Sequence, residues 1–169
     1  MDAAHVLVDA FGRVKEVVHE AVEGIGTADL HARLDPGANS VAWLVWHLTR
    51  IQDDHVADVA GREQIWVEQD WVGRFALPFP PEATGYGHTS EQVAAVRVES
   101  PALLLGYFDA VHDRTVDFVG GLRGTALDRV VDDSWTPPVT LGVRLVSVIA
   151  DDLQHAGQAA FVRGCRERG

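Results

Sequence analysis

Apolar residues recur at helical spacing through most of the chain, and no stretch longer than four residues alternates convincingly as a strand would. Val6, Leu7, Phe11, Val14, Val18, Ala21 and Val22 form the first stripe. They predict a helix from about Asp2 to Val22, closed by Gly24 and Gly26. A polar link follows from Thr27 to Ala38, with Pro36-Gly37 as its turn signal. Asn39 and Ser40 suit the cap of a second helix. Its stripe runs through Val41, Leu44, Val45, Leu48, Ile51 and His55 to Ala60, and Gly61 ends it. Trp43 and Trp46 widen the apolar surface, so burial on more than one side is expected.

Residues 62–88 have another character. Aromatic side chains from Trp66 through Trp71, Phe75 and Phe79 to Gly85-Tyr86-Gly87 alternate with Pro78, Pro80 and Pro81. A long loop with its own large side chains packs down and is often functional. Thr89 to Val98 reads as a short helix with a Thr89/Gln92 capping box. Ser100-Pro101 opens a third long helix, striped by Leu104, Phe108, Val111, His112, Thr115 and Val119 and stopped at Gly120-Gly121. A second link carries Trp135, Pro137 and Pro138. Thr140 then caps a fourth long helix to about Arg163, with Val143, Val146, Ile149, Ala150, Leu153, Ala160 and Phe161 apolar. The expected fold is all-α: a four-helix bundle with a long crossover between the second and third long helices, filling 1–169 as one domain.

Composition narrows the function. Of 169 residues 47% are hydrophobic and 23% charged, a globular balance. Lys and Arg number 14 against 25 Asp and Glu, a net charge of −11. That argues against nucleic-acid binding and against docking on anionic lipid, and it fits work on small molecules. No apolar run approaches the roughly 18 residues of a membrane span, and no basic leader is visible, so a cytoplasmic protein is expected. A single cysteine, Cys165, excludes an intramolecular disulfide. It is either a thiol of no consequence or one activated by Arg163 and Arg166.

Three residues carry candidate chemistry. Asp151 and His155 are four apart on the fourth long helix, about 40° apart in projection, so both can reach one ion. As a pair they read equally as a surface ion pair. His47 lies among Trp43, Leu44, Trp46 and Leu48, and its polar nitrogens need partners. It is either a core histidine bonded to a carboxylate or a third ligand from a facing helix. Three protein ligands with an open position is the catalytic form of a metal site. Asp54 and His55 come two turns later, roughly 10 Å along the axis, and suit a pocket rather than the same ion. His88 and the other histidines have no partner spacing. Nucleotide-loop, nucleophile-elbow, Cys-x-x-Cys and di-iron signatures are absent.

The segments Ala42-Trp43-Leu44-Val45-Trp46-His47-Leu48 and Asp151-x-x-x-His155-x-Gly157-Gln158 resemble the DinB/YfiT-like superfamily. Within it the chain looks like the actinobacterial branch of mycothiol transferases, once a family of unknown function. The resemblance implies an up-down-down-up four-helix bundle. It implies one divalent metal ion held by His47, Asp151 and His155. The family often has His where Asp151 stands, and the shorter Asp departs from that pattern. It further implies that the metal, zinc first and nickel, manganese or iron also suited, activates the thiolate of mycothiol or a similar small thiol for attack on an electrophile. Asp54, His55, Trp71, Trp135 and Gln158 are the expected substrate-binding residues. A homodimer fits a bundle with broad apolar faces. Two other readings stay open: a metal-dependent hydrolase or isomerase on the same bundle, and a non-enzymatic bundle that binds a small ligand.

Overall fold

A computed structural model describes residues 2–168, and they are mostly helical. α1 (Ala3–Val22) starts at Asp2, whose carboxylate accepts from the His5 amide. α2 (Thr27–His31) is a short helix inside the segment expected to be a polar link, and it buries Leu30. α3 (Val41–Ala60) is capped by Ser40, whose hydroxyl accepts from the Trp43 amide. Gly61, at φ 63°, ends it in the left-handed conformation that glycine tolerates. α4 (Ile65–Glu68) and α5 (Trp71–Phe75) are short helices within the crossover. α6 (Ser90–Ala95) carries the complete Thr89/Gln92 capping box. α7 (Pro101–Gly120) begins at Ser100 with proline in its first turn.

One element departs from the all-α expectation. After a 3-10 turn at Ala126–Asp128, β1 (Val130–Asp132) pairs antiparallel with β2 (Val139–Thr140). Strands of three and two residues are too short to show a period in sequence. α8 (Leu141–Arg168) then runs 28 residues, past the Arg163 expected as its end.

The long helices pack in a ring. α1 and α3 each lie against both α7 and α8 and touch one another only slightly. Lys15 and His19 of α1 reach Asp109 of α7 at 2.9 and 2.8 Å. Arg163 of α8 donates to the carbonyls of Glu20 and Glu23 at the end of α1. Val14 and Val18 of α1, Leu44 and Leu48 of α3, Phe108 and Val111 of α7 and Ala156 of α8 share one core. Each large side chain so buried stabilises by about 1.5–3 kcal/mol.

α8 buries a different face from the one its apolar residues suggest. Leu141, Leu145, Val148, Asp152, Ala156, Ala159 and Val162 point inward. Val143, Val146 and Phe161 are 54%, 60% and 63% exposed. The helix is apolar on two sides, so its pattern alone does not choose between them.

The crossover is fastened by a buried cation. Arg50, fully enclosed on α3, donates to the carbonyls of Ala83 (3.1 Å) and Pro81 (3.2 Å) and to Gln64 Oε1 (2.7 Å). Its guanidinium lies 5.0 Å over the Trp66 ring. Asp53, 3.8 Å from Arg50, accepts from the amides of Ile65 and Trp66 and from the Tyr107 hydroxyl. Burial pushes the Asp53 carboxyl up, against the pull of those bonds and of Arg50.

Candidate metal centre

His47 of α3 meets Asp151 and His155 of α8, and one donor atom from each lies within 4.8 Å of the others. The helical register explains the pair: residues four apart stack on one face, and Asp151 Oδ1 stands 3.5 Å from His155 Nε2. The His47 and His155 rings are 4.8 Å apart at 72°.

Each imidazole is oriented from behind. His47 Nδ1 donates to the Thr84 carbonyl at 2.6 Å. A carbonyl only accepts, so Nδ1 carries the proton and Nε2 keeps the lone pair. Trp43, one turn earlier, stacks on the His47 ring at 4.6 Å and 17° and meets His155 edge-on at 6.1 Å. His155 Nδ1 donates to Gln158 Oε1 at 3.2 Å, which turns Nε2 toward Asp151 Oδ1.

Gly85 allows the crossover to come this close. Its φ is +94°, and a Cβ there would sit 2.9 Å from His47 Nδ1 and 3.0 Å from the Trp46 ring. Any side chain would strain the backbone and press on the His47 ring.

The donor set fits a divalent cation. Asp151 Oδ2 is buried and has no hydrogen-bond partner, an acceptor without a donor. Two imidazole nitrogens and a carboxylate suit first-row divalent ions, and three protein ligands leave room for an exogenous one. Burial resists the charge on Asp151, but the His155 bond and the nearby imidazoles outweigh it and hold the carboxyl below its ordinary value. The bond from Asp151 raises the His155 pKa against burial. Burial lowers that of His47, which favours the neutral ring a metal requires.

The other expected site residues are spread out. Asp54 and His55 line a cleft of about 620 Å³ with Asp58, Arg62, Gln64 and Arg144. His55 Nδ1 lies 3.2 Å from Arg144 Nη1. Burial and then the Arg144 charge lower the His55 pKa. Gln158 acts on His155, as described. Trp71 is buried against Phe75, Tyr107 and the open side of Gly106. Trp135 is 66% exposed in the turn between β1 and β2. Neither ring is among those packed on His47 or His155.

Three contributors escaped the sequence. Thr84 and Gly85 act through backbone, and their only signal was the Gly85-Tyr86-Gly87 run. His88 accepts from Trp43 Nε1 at 3.2 Å, stacks on Trp46 and packs at a tilt against Phe79. Burial lowers its pKa. Beside the centre, Asp152 is fully buried with both carboxylate oxygens unpartnered. Burial and the Asp151 charge push its pKa well up.

The family model described as Mycothiol-S-transferase matches residues 6–167. A solved structure of a conserved protein from Enterococcus faecalis is 33% identical, covers 96% of either chain and superposes with a TM-score of 0.90. No curated protein matches at a significant level.

Proposed function

The chain belongs to the mycothiol-S-transferase family, and on that premise we propose that it transfers the sulfur of mycothiol, or of a similar small thiol, to an electrophile. The observation that carries this reading is the trio itself: two imidazoles each held at Nδ1 from behind, and a buried carboxylate oxygen with no partner. His47, Asp151 and His155 would hold one divalent ion, zinc first by its donor set. A metal in such a site supplies Lewis acidity that lowers the pKa of a bound thiol.

The protein's own groups then have defined tasks. Thr84 and Gln158 keep both rings in the ligating tautomer. Trp43 blocks ring rotation on the buried side. Asp151 stays ionised, balancing cationic charge. The thiol proton leaves to solvent and the sulfur forms a bond to the electrophilic carbon, which either expels its leaving group with the bonding pair or, in a double bond, passes its π pair to the neighbouring atom, which takes up a proton from solvent.

The wider reading places these residues in one domain, an up-down-down-up bundle. Its support is that Lys15 and His19 meet Asp109 while Arg163 caps the end of α1. No helix among the described residues is long and apolar enough to cross a membrane, and the reading takes the protein as cytoplasmic. A second copy of the chain is proposed as the partner for the exposed Val143, Val146 and Phe161 face.

The test is metal content. Untagged protein purified without chelator is expected to carry about one divalent ion per chain, lost in His47→Ala and His155→Ala while circular dichroism stays helical. Wild-type protein that takes up no ion after equilibration with zinc would sink the reading and leave the histidines structural.

A further inference from the structure

We propose that a second copy of the chain packs antiparallel along the outer face of α8, and that this contact braces the candidate metal centre through Gln158; this rests on the metal-centre and second-copy readings above. From Val143 to Phe161 no exposed position of α8 carries a charge. Arg144 and Asp151, at the edge of that face, are turned to His55 and His47 of α3. Other outer surfaces differ: α1 shows Asp9, Arg13, Glu16 and Glu20 to solvent, and α7 shows Asp113 and Asp117. In a chain of net charge −11, an uncharged strip is the side on which a second copy can approach without repulsion. Depletion of charge marks the centre of a protein interface.

The strip is complementary to itself. Val143, Val146, Ala150, Leu153 and Gly157 follow one another at steps of three and four, the spacing of a seam between two helices. Laid against its own copy in the opposite sense, about a two-fold axis near Asp152, the seam sets Val146 opposite Gly157, Leu153 opposite Ala150 and Phe161 opposite Val143. Each larger side chain meets a smaller one, so the two helices can close on one another. A parallel pairing would set Phe161 against Phe161 and Gly157 against Gly157. Ser147 and Gln154 flank the seam on one side and can exchange hydrogen bonds across it. Use of the same face by both copies closes the assembly as a dimer.

Gln158 ties the strip to the centre. It is exposed, next to Gly157, and its Oε1 accepts from His155 Nδ1 at 3.2 Å. In the antiparallel pairing Val146 of the second copy lies over Gly157 and beside Gln158. Water that competes for Gln158 Oε1 is displaced there, and His155 is held more firmly in its orientation. Support behind a ligand histidine raises metal affinity. The coupling is reciprocal: an ion at the trio strengthens the dimer by the factor by which the dimer strengthens the ion.

Sedimentation equilibrium of the full chain, with and without zinc, reads the association, and a chromogenic chelator reads the metal. Zinc is expected to tighten the dimer about threefold to tenfold, the scale of one hydrogen bond kept from water. Phe161→Glu is expected to be monomeric, to stay helical by circular dichroism, and to hold zinc more weakly by the same factor. Cross-linking reads the orientation in a Cys165→Ser background. Leu153→Cys, about 4 Å along the axis from its own mate, is expected to give a disulfide-linked dimer on mild oxidation. Val143→Cys, about 27 Å from its mate, is expected to give none. A monomeric wild type, a Phe161→Glu dimer, or cross-linking by Val143→Cys in place of Leu153→Cys would overturn the antiparallel interface. A monomeric Phe161→Glu with wild-type zinc affinity would overturn the brace and leave the interface standing. A wild-type dimer that takes up no zinc would remove the metal reading and the brace with it, again leaving the interface.

Discussion

The imidazole of His47 and the backbone carbonyl of Thr84 are 37 residues apart in sequence and 2.6 Å apart in space. The bond makes the long crossover part of the candidate centre. A loop that merely joined two helices would have no reason to present a carbonyl, with a left-handed glycine behind it, to a buried imidazole nitrogen.

Gly85→Ala tests that relationship. The added carbon falls 2.9 Å from His47 Nδ1, and the backbone at φ +94° resists any Cβ. Strain of about 1–3 kcal/mol is expected, with metal affinity down about 10–100-fold, as for other losses of support behind a ligand. Competition with a chromogenic chelator measures it. Wild-type affinity in the variant would show that the Thr84 contact does not orient the ring.

Metal affinity should fall with acid in a particular window. Asp151 raises the His155 pKa above the ordinary imidazole value of 6.5. An ion must displace that proton, so affinity is full above the raised pKa and declines as pH falls through it. His47, lowered by burial, begins to compete only at lower pH. Chelator titrations across pH 6 to 8 are expected to show the loss beginning above 6.5. An onset wholly below that value contradicts the assigned Asp151–His155 coupling.

Replacing Arg50 should cost more than any surface change. Arg50→Met removes the donors to Ala83, Pro81 and Gln64 and leaves Asp53 buried without its cation. Breaking one side of such a pair costs about 3–5 kcal/mol. Chemical denaturation would register the loss. A destabilisation under about 1 kcal/mol, the scale of an exposed pair, would mean that the crossover is held by its aromatic residues alone.

The exposed face of α8 predicts self-association. Phe161→Glu and Val146→Glu, at positions 63% and 60% exposed, should leave the monomer fold intact and dissociate a dimer. Sedimentation velocity decides it: a wild-type chain that is monomeric at about 100 μM, within the usual range of weak homodimers, has no use for this face as a copy-to-copy interface.

Much of this was legible in the chain. Caps at Asp2, Ser40, Thr89 and Ser100 and the stop at Gly61 are local signals, and the helices begin and end on them. His47, Asp151 and His155 could be named because the two on α8 share a helical face and the third sits on a buried helix. What escaped was tertiary. The sequence has no period that tells which apolar side of α8 faces the core. Trp71 was expected in a pocket from its place in an aromatic link, and its packing on Tyr107 is a contact no spacing in the chain announces. The carbonyl of Thr84 has no side-chain signature at all.

Arg50 has a consequence for how such a protein can diversify. It binds the carbonyl of Ala83, while His47, one turn earlier on the same helix, binds that of Thr84. Two consecutive peptide units are thus gripped by two side chains of one rigid rod. Inserting or deleting a single residue between Pro81 and Gly85 would slip this register and release both grips together. Relatives that acquire new substrates are therefore constrained to vary the side chains around the groove and to conserve the length of this stretch.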